Sequence, residues 1–233
     1  MSKIIAFGDS FTWGSDMNDT FRFEEYYKIY KYHPTCRYSN SYSRSTWQAL
    51  LAKHLKIDYA CYATEGCSNQ TIVRTFFEHV HEIDSTDIVI INFTWRDRYD
   101  FLDSVTHKWE NVRPTCTKDT SKFAEMYYKH IHNSYWDNIE SLKAINLLIG
   151  YMKTHNIEYI VTCIDEMIYY DEVHRLPIIT ALRDQFKDKI TWFNGVGFYQ
   201  WSKDNNYPIS ALWHPLEEAH CGAFKYMREI EKW

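Results

Sequence analysis

Apolar residues along this chain fall into two rhythms. "KIIAF" (3–7), "DIVIINF" (87–93) and "IEYIVTCI" (157–164) are short, nearly unbroken apolar runs, the pattern of strands buried on both faces. "IDYACYA" (57–63) and "KITWF" (189–193) read as two further strands, giving five. Between them the apolar positions recur at helical spacing. "SRSTWQALLAKHL" (43–55) opens with Ser45 and Gln48 spaced as a capping box, and "NQTIVRTFFEHVHEI" (69–83) has Asn69 as its candidate cap. The stretch 122–154 is helix-biased, and "LPIITALRDQF" (176–186) gives another helix. "HPLEEAHCGAFKYMREIEKW" (214–233) gives the last, with Pro215 near its first turn and Glu217 and Glu218 complementing its amino end.

Strand and helix alternate, so the pattern predicts a single domain over 1–233. Its expected architecture is a three-layer α/β/α sandwich around a parallel five-stranded sheet, flavodoxin-like in layout. Two segments break the alternation, about 15–44 and 96–135, both polar and rich in rings. Insertions of this length leave the carboxyl ends of strands, where open α/β sheets bind ligands, and are therefore candidate walls or lids.

Composition narrows the partners. The net charge is -5 and the basic residues are dispersed, which advertises neither a nucleic-acid nor an anionic-membrane surface. Arg74, Arg96 and Arg98 are each either a means of orienting an anionic substrate or a solvated or helix-packed side chain. Aromatic residues make up 18% of the chain, more than a core of this size needs, so rings either pack large loops or line a groove for ring-bearing ligands. The six cysteines have no CxxC or metal-ligand spacing and read as free thiols. No metal or cofactor is expected, and no span-length apolar run or leader pattern precedes the first strand. These features point to a cytoplasmic setting.

The chemistry is carried by four short blocks. In "FGDSFTWG", Gly8, Asp9 and Ser10 follow the first strand, so a hydroxyl is delivered to the sheet's carboxyl edge; alone, the same residues also fit an ordinary strand-to-helix junction. "EGCSN" places Gly66 and free amides at a helix start, "NFTWRDR" puts Asn92 and Thr94 at the end of the third strand, and "WHPLEEAH" sets His214 ahead of the last helix. His214 and His220 are six apart, which is not a helical zinc pair, and no G-x-S-x-G elbow or phosphate loop is present.

Taken together, and in this order, the blocks resemble the SGNH, or GDSL-type, hydrolases over nearly the whole chain. The resemblance implies Ser10 as nucleophile, the amides of Ser10 and Gly66 as oxyanion donors, and His214 as base. Two positions depart from it. Thr94 stands where the family has an oxyanion asparagine, unless Asn92 substitutes, and Ala211 stands where the family has the acid of its triad. The expectation is therefore a Ser10–His214 dyad whose imidazole is oriented by some other acceptor, often a backbone carbonyl. A Glu217–His220 pairing is the disfavoured alternative.

The expected reaction is hydrolysis of an O-acetyl or similar ester, on a carbohydrate or another ring-bearing small molecule, through an acyl-enzyme. Asp9 and Asn69 join the expected substrate-binding set with Trp13, Trp95 and Trp213, three rings that either wall a pocket or seal the sheet edge. The family also contains thioesterases, lipases and acyltransferases, and the motifs do not choose among them. A non-catalytic ligand-binding protein on the same fold, and a structural or assembly protein, are the competing readings. The "GDSFTWG" start and "HPLEEAH" end resemble chains encoded by tailed bacteriophages, which would place the protein in a host cytoplasm or a virion.

Overall fold

The computed structural model describes residues 2–20, 42–114, 122–166 and 176–230. In chain order the strands are β1 (Lys3–Phe7), β2 (Asp58–Cys61), β3 (Ile88–Phe93), β4 (Tyr99–Leu102), β5 (Trp109–Val112) and β6 (Glu158–Cys163). The helices are α1 (Ser10–Trp13), α2 (Trp47–Leu55), α3 (Asn69–His79), α4 (Lys122–Met126), α5 (Ser134–Thr154), α6 (Pro177–Asp184), α7 (Phe198–Asp204) and α8 (Glu217–Ile230).

β2, β1, β3 and β6 lie in that order in one parallel sheet. The chain goes from β1 to β2 on one side and returns to β3 on the other, so the connections diverge at β1 and open a crevice at its carboxyl end. Ser10 sits there. The pleat divides the apolar runs between two cores. Ile5, Phe7, Val89, Ile91 and Phe93 pack with α3 and α5 on one face. Ile4, Ala6 and Ile90 pack with residues of α2, α7 and α8 on the other. Each fully buried Ile or Phe contributes about 1.5–3 kcal/mol, which is why these runs fix the register so firmly.

The expected fifth strand is not formed: the described sheet has four. From "KITWF" only Ile190 bridges Val161, with the Thr191 amide donating to the Val161 carbonyl at 2.7 Å. A turn then closes from Phe193 to Val196 through two left-handed residues, Asn194 (φ 52°) and Gly195 (φ 85°), and turns the chain away while Phe193 packs against Trp47, Phe198 and Trp201.

Two helix starts also differ from expectation. α2 is capped by Thr46, whose hydroxyl accepts from the Ala49 amide, so no Ser45–Gln48 box forms and the polar atoms of Gln48 are buried without partners among the described residues. α3 is capped by Ser68, which accepts from the Thr71 amide, and Asn69 is its first helical residue. A hydroxyl one position earlier does the work in α3 and leaves the Asn69 carboxamide for another task.

Of the 15–44 insertion, residues 21–41 fall outside the described residues; its ends meet where Asp19 accepts from the Ser43 hydroxyl at 2.6 Å and the Arg44 amide at 2.7 Å. Of the 96–135 insertion, residues 115–121 fall outside the described residues, and the remainder is more ordered than a loop. β4 and β5 form an antiparallel hairpin that packs on α4 and a π-helical turn, Tyr127–Ile131, through Tyr99 stacked on Tyr127 and Phe101 against Phe123. Part of the aromatic surplus is accounted for by this satellite core. Cys61, Cys67, Cys163 and Cys221 are free; Cys36 and Cys116 lie outside the described residues. No described helix is long and apolar enough to cross a membrane.

Candidate active site

The turn after β1 is built by contact as much as by conformation. A Cβ at Gly8 would collide with the Thr12 side chain, so only glycine lets α1 fold back so tightly on the strand end. Asp9 caps α1 through the Phe11 amide, and Ser10 is its first residue, 5% exposed.

His214 arrives from the other end of the chain. Its Nε2 lies 3.0 Å from Ser10 Oγ across a separation of 204 positions. Its Nδ1 lies 2.7 Å from Oδ2 of Asp16. A carboxylate only accepts, so Nδ1 carries a proton; in the tautomer this selects, Nε2 offers its lone pair to the serine hydroxyl. The acceptor on the imidazole is therefore a side-chain carboxylate, not the backbone carbonyl expected for a dyad. Ala211, the family's acid position, is exposed.

Asp16 is 7% exposed and adopts a left-handed backbone (φ 66°). The hydroxyl of Ser210 donates to the same Oδ2 at 2.6 Å and accepts from the amides of Leu212 and His214, both at 3.2 Å. That hydroxyl ties the Asp16 carboxylate to the turn carrying His214. Sequence reasoning missed Asp16; its signal was a carboxylate six positions after Ser10 in "GSD", just beyond a one-turn helix. Ser210 carried no signal of its own.

Gly66 holds a left-handed conformation (φ 72°), and a Cβ there would collide with the Arg113 guanidinium. Its loop runs beside the serine turn: the Thr64 amide donates to the Gly8 carbonyl at 3.0 Å, Cys67 Sγ lies 3.5 Å from the same oxygen, and the Ser15 hydroxyl bonds the Glu65 carboxylate. Neither the Ser10 nor the Gly66 amide has an acceptor among the described residues. Donors left open at one rim can receive an anionic oxygen.

The other expected site residues hold the frame instead. Thr94 is fully buried; its hydroxyl donates to Asp9 at 2.8 Å and its amide to Asn69 Oδ1 at 2.8 Å, leaving no donor for an oxyanion. Asn92 accepts from the Thr162 hydroxyl at 2.9 Å through Oδ1, and its Nδ2 is buried without a partner among the described residues. Asn69 clamps the Thr94 backbone from both sides, its Nδ2 also donating to the Thr94 carbonyl at 3.1 Å, and is buried. Asp9 is likewise buried, bound to Thr94 and paired with Arg98 at 2.9 Å, which commits its carboxylate to the frame. Arg74 lies over Trp109, with its guanidinium 3.7 Å from the ring centroid.

Of the three tryptophans, Trp95 and Trp213 join one chain of rings. Trp95 meets Phe11 edge-on at 5.4 Å, Tyr199 lies 6.1 Å from Trp95, and Trp213 is parallel to Tyr199 within 10°. Phe11 in turn touches the His214 ring, at 5.6 Å. Trp13 packs on Tyr42 instead. Trp213 is 64% exposed and left-handed (φ 72°), a costly backbone for a bulky residue. His220 is buried, accepts the Trp47 amide at 3.2 Å, and is held neutral with its pKa pushed down to about 3 by loss of solvent.

A parallel sheet with a serine, a histidine and an aspartate in line at its carboxyl rim defines a class of α/β protein built as serine hydrolases are. Residues 4–207 match the model of the GDSL-like lipase/acylhydrolase family, and the chain belongs to that family. No curated protein matches the sequence. Among solved structures it is similar to a carbohydrate esterase described as having divergent catalytic and non-catalytic binding functions (11% identity, 100% of this chain and 69% of the other, TM-score 0.52). It is also similar to a lipase from a goat rumen metagenome (12%, 98% and 97%, 0.50) and to a G-D-S-L lipolytic family member from Veillonella parvula (16%, 99% and 98%, 0.48). At these identities the likeness concerns the fold.

Proposed function

We propose that the protein is a serine ester hydrolase acting through a Ser10–His214–Asp16 triad. The observation that carries this reading is the unbroken chain from Ser10 Oγ to His214 Nε2 and from His214 Nδ1 to Asp16. His214 takes the Ser10 proton as Oγ attacks the ester carbonyl, and Asp16 stabilises the resulting imidazolium. The amides of Ser10 and Gly66 receive the oxyanion. His214 then protonates the departing alcohol, and water, deprotonated by the same imidazole, releases the acid from Ser10. The acid comes from the segment that carries the nucleophile, six residues on, rather than from the histidine loop.

The substrate class we assign is an O-acetyl or similarly short ester on a carbohydrate or other ring-bearing alcohol. The support is the exposed Trp213, stacked on Tyr199 and adjacent in sequence to His214, where a flat ring face meets an aromatic one. The non-catalytic reading rests on a missing acid and a missing third-block asparagine; Asp16, 2.7 Å from His214 Nδ1, speaks against the first of these grounds. Replacing Ser10 by Ala abolishes both hydrolysis of a small acetyl ester and labelling by a fluorophosphonate probe, while circular dichroism stays that of the wild type. Turnover retained by Ser10→Ala removes the assignment.

A further inference from the structure

Thr94, at the family's third-block position, has its hydroxyl and amide engaged within the frame, and the two loops that carry the Ser10 and Gly66 amides need a fixed spacing to act together. We propose that Arg98 is the positioning residue that does so, by clamping the serine turn to the Gly66 loop. The inference rests on the triad reading above. A single nitrogen, Arg98 Nη1, donates to Asp9 Oδ2 at 2.9 Å and to the Cys67 carbonyl at 3.1 Å. Asp9 immediately precedes Ser10, and Cys67 immediately follows Gly66. Each of the two oxyanion amides is therefore one residue from an anchor of the same guanidinium.

The clamp is braced on every side. The Arg98 side chain is 10% exposed and Asp9 is fully buried. The other oxygen of Asp9 accepts the Phe11 amide at 3.0 Å, and the Thr94 hydroxyl shares Oδ2. The guanidinium lies 4.7 Å over Trp95, which packs on Phe11. Thr94 thus contributes from its third-block position indirectly, by holding Asp9.

Charge gives the arrangement a second role. Asp9 is a buried carboxylate next to the nucleophile, and its negative charge opposes the anion that forms on the carbonyl oxygen. Arg98 cancels that charge in place, within a poorly screened interior. Losing the guanidinium should therefore slow the step that develops negative charge and leave substrate binding nearly intact.

The test compares wild type, Arg98→Met and Arg98→Lys on a p-nitrophenyl acetate assay and by the rate of fluorophosphonate labelling at Ser10. For Arg98→Met, kcat and the labelling rate fall together by about tenfold to a hundredfold, as a misplaced oxyanion site predicts, with KM within about twofold. Arg98→Lys restores the charge without the planar reach and lies between the two. Should Arg98→Met not fold, Arg98→Lys decides: lowered kcat at unchanged KM and native near-ultraviolet circular dichroism supports the clamp. Wild-type kcat in Arg98→Met, or in Arg98→Lys where only that variant folds, overturns it. So does a kcat loss matched by loss of native dichroism in both variants, which would make Arg98 merely structural. Failure of the wild type itself to label or turn over refutes the hydrolase reading instead, so the two failures are distinguishable.

Discussion

Asp9 and Asp16 come from one short segment, flank the same serine and are almost equally buried, yet their surroundings differ in kind. Asp9 is saturated by an amide, a hydroxyl and a permanent cation, Arg98. Asp16 receives the Ser210 hydroxyl and a titratable ring on a single oxygen. A carboxylate facing a fixed counter-ion has its charge already neutralised and can only hold structure. One facing an imidazole can respond when that ring gains a proton. The two histidines of the same corner differ in the same way: His214 meets a carboxylate, whereas His220 sits in a dry site with the Trp47 amide donating to Nδ1.

The sharpest way to break this comparison is Asp16→Asn. It should lower kcat by about three to four orders of magnitude, because an amide can hold the imidazole in the wrong tautomer, with little change in melting temperature; near wild-type turnover would show that Asp16 is not the acid. Asp9→Asn should act first on stability. It removes the counter-charge of a buried arginine and should cost about 3 kcal/mol in denaturant unfolding; an unchanged midpoint would mean that the pair contributes nothing to the frame.

His220 gives the next smaller effect. Its pKa lies near 3 in the folded protein against 6.5 for the ordinary side chain, so below pH 6.5 the unfolded chain binds a proton that the native state refuses. Stability is full above that pH and falls as pH drops toward 3, by about 2 kcal/mol at pH 5. His220→Asn, which keeps an acceptor for the Trp47 amide, should flatten the acid limb of the stability curve by about one proton; an identical limb in both proteins would contradict a neutral buried His220. Trp213→Ala is the mildest change. It should raise KM for a glycoside acetate by about threefold to tenfold at constant kcat, the scale of one aromatic face; no preference of the wild type for ring-bearing over linear acetates would remove the stacking role.

Much of this was legible in the order of residues. The runs containing Ile4–Phe7, Ile88–Phe93 and Ile160–Cys163 announced buried parallel strands, because a strand covered on both faces has no polar side. Ser10, Gly66 and His214 stood out because a turn, a left-handed loop and a helix start are local events with local signatures. For Thr94, Asn69 and Asp9 the sequence is ambiguous for a shared reason: a polar residue in a turn at the sheet's carboxyl rim has the same appearance whether it faces a ligand or another loop. "KITWF" had the composition of a strand, but the Asn194–Gly195 turn beside it ended the pairing after one bridge.

The alternating architecture, the family and the two chain ends that bring Ser10 and His214 can all be read along the chain. These follow from periodicity and from residues whose local backbone demands are specific. Packing alone sets which carboxylate faces the imidazole, the Ser210 link between Asp16 and the His214 turn, and the Arg98 bridge between two loops. Those are distances between segments far apart in the chain, set by how the helices pack on the sheet, and no local pattern encodes them.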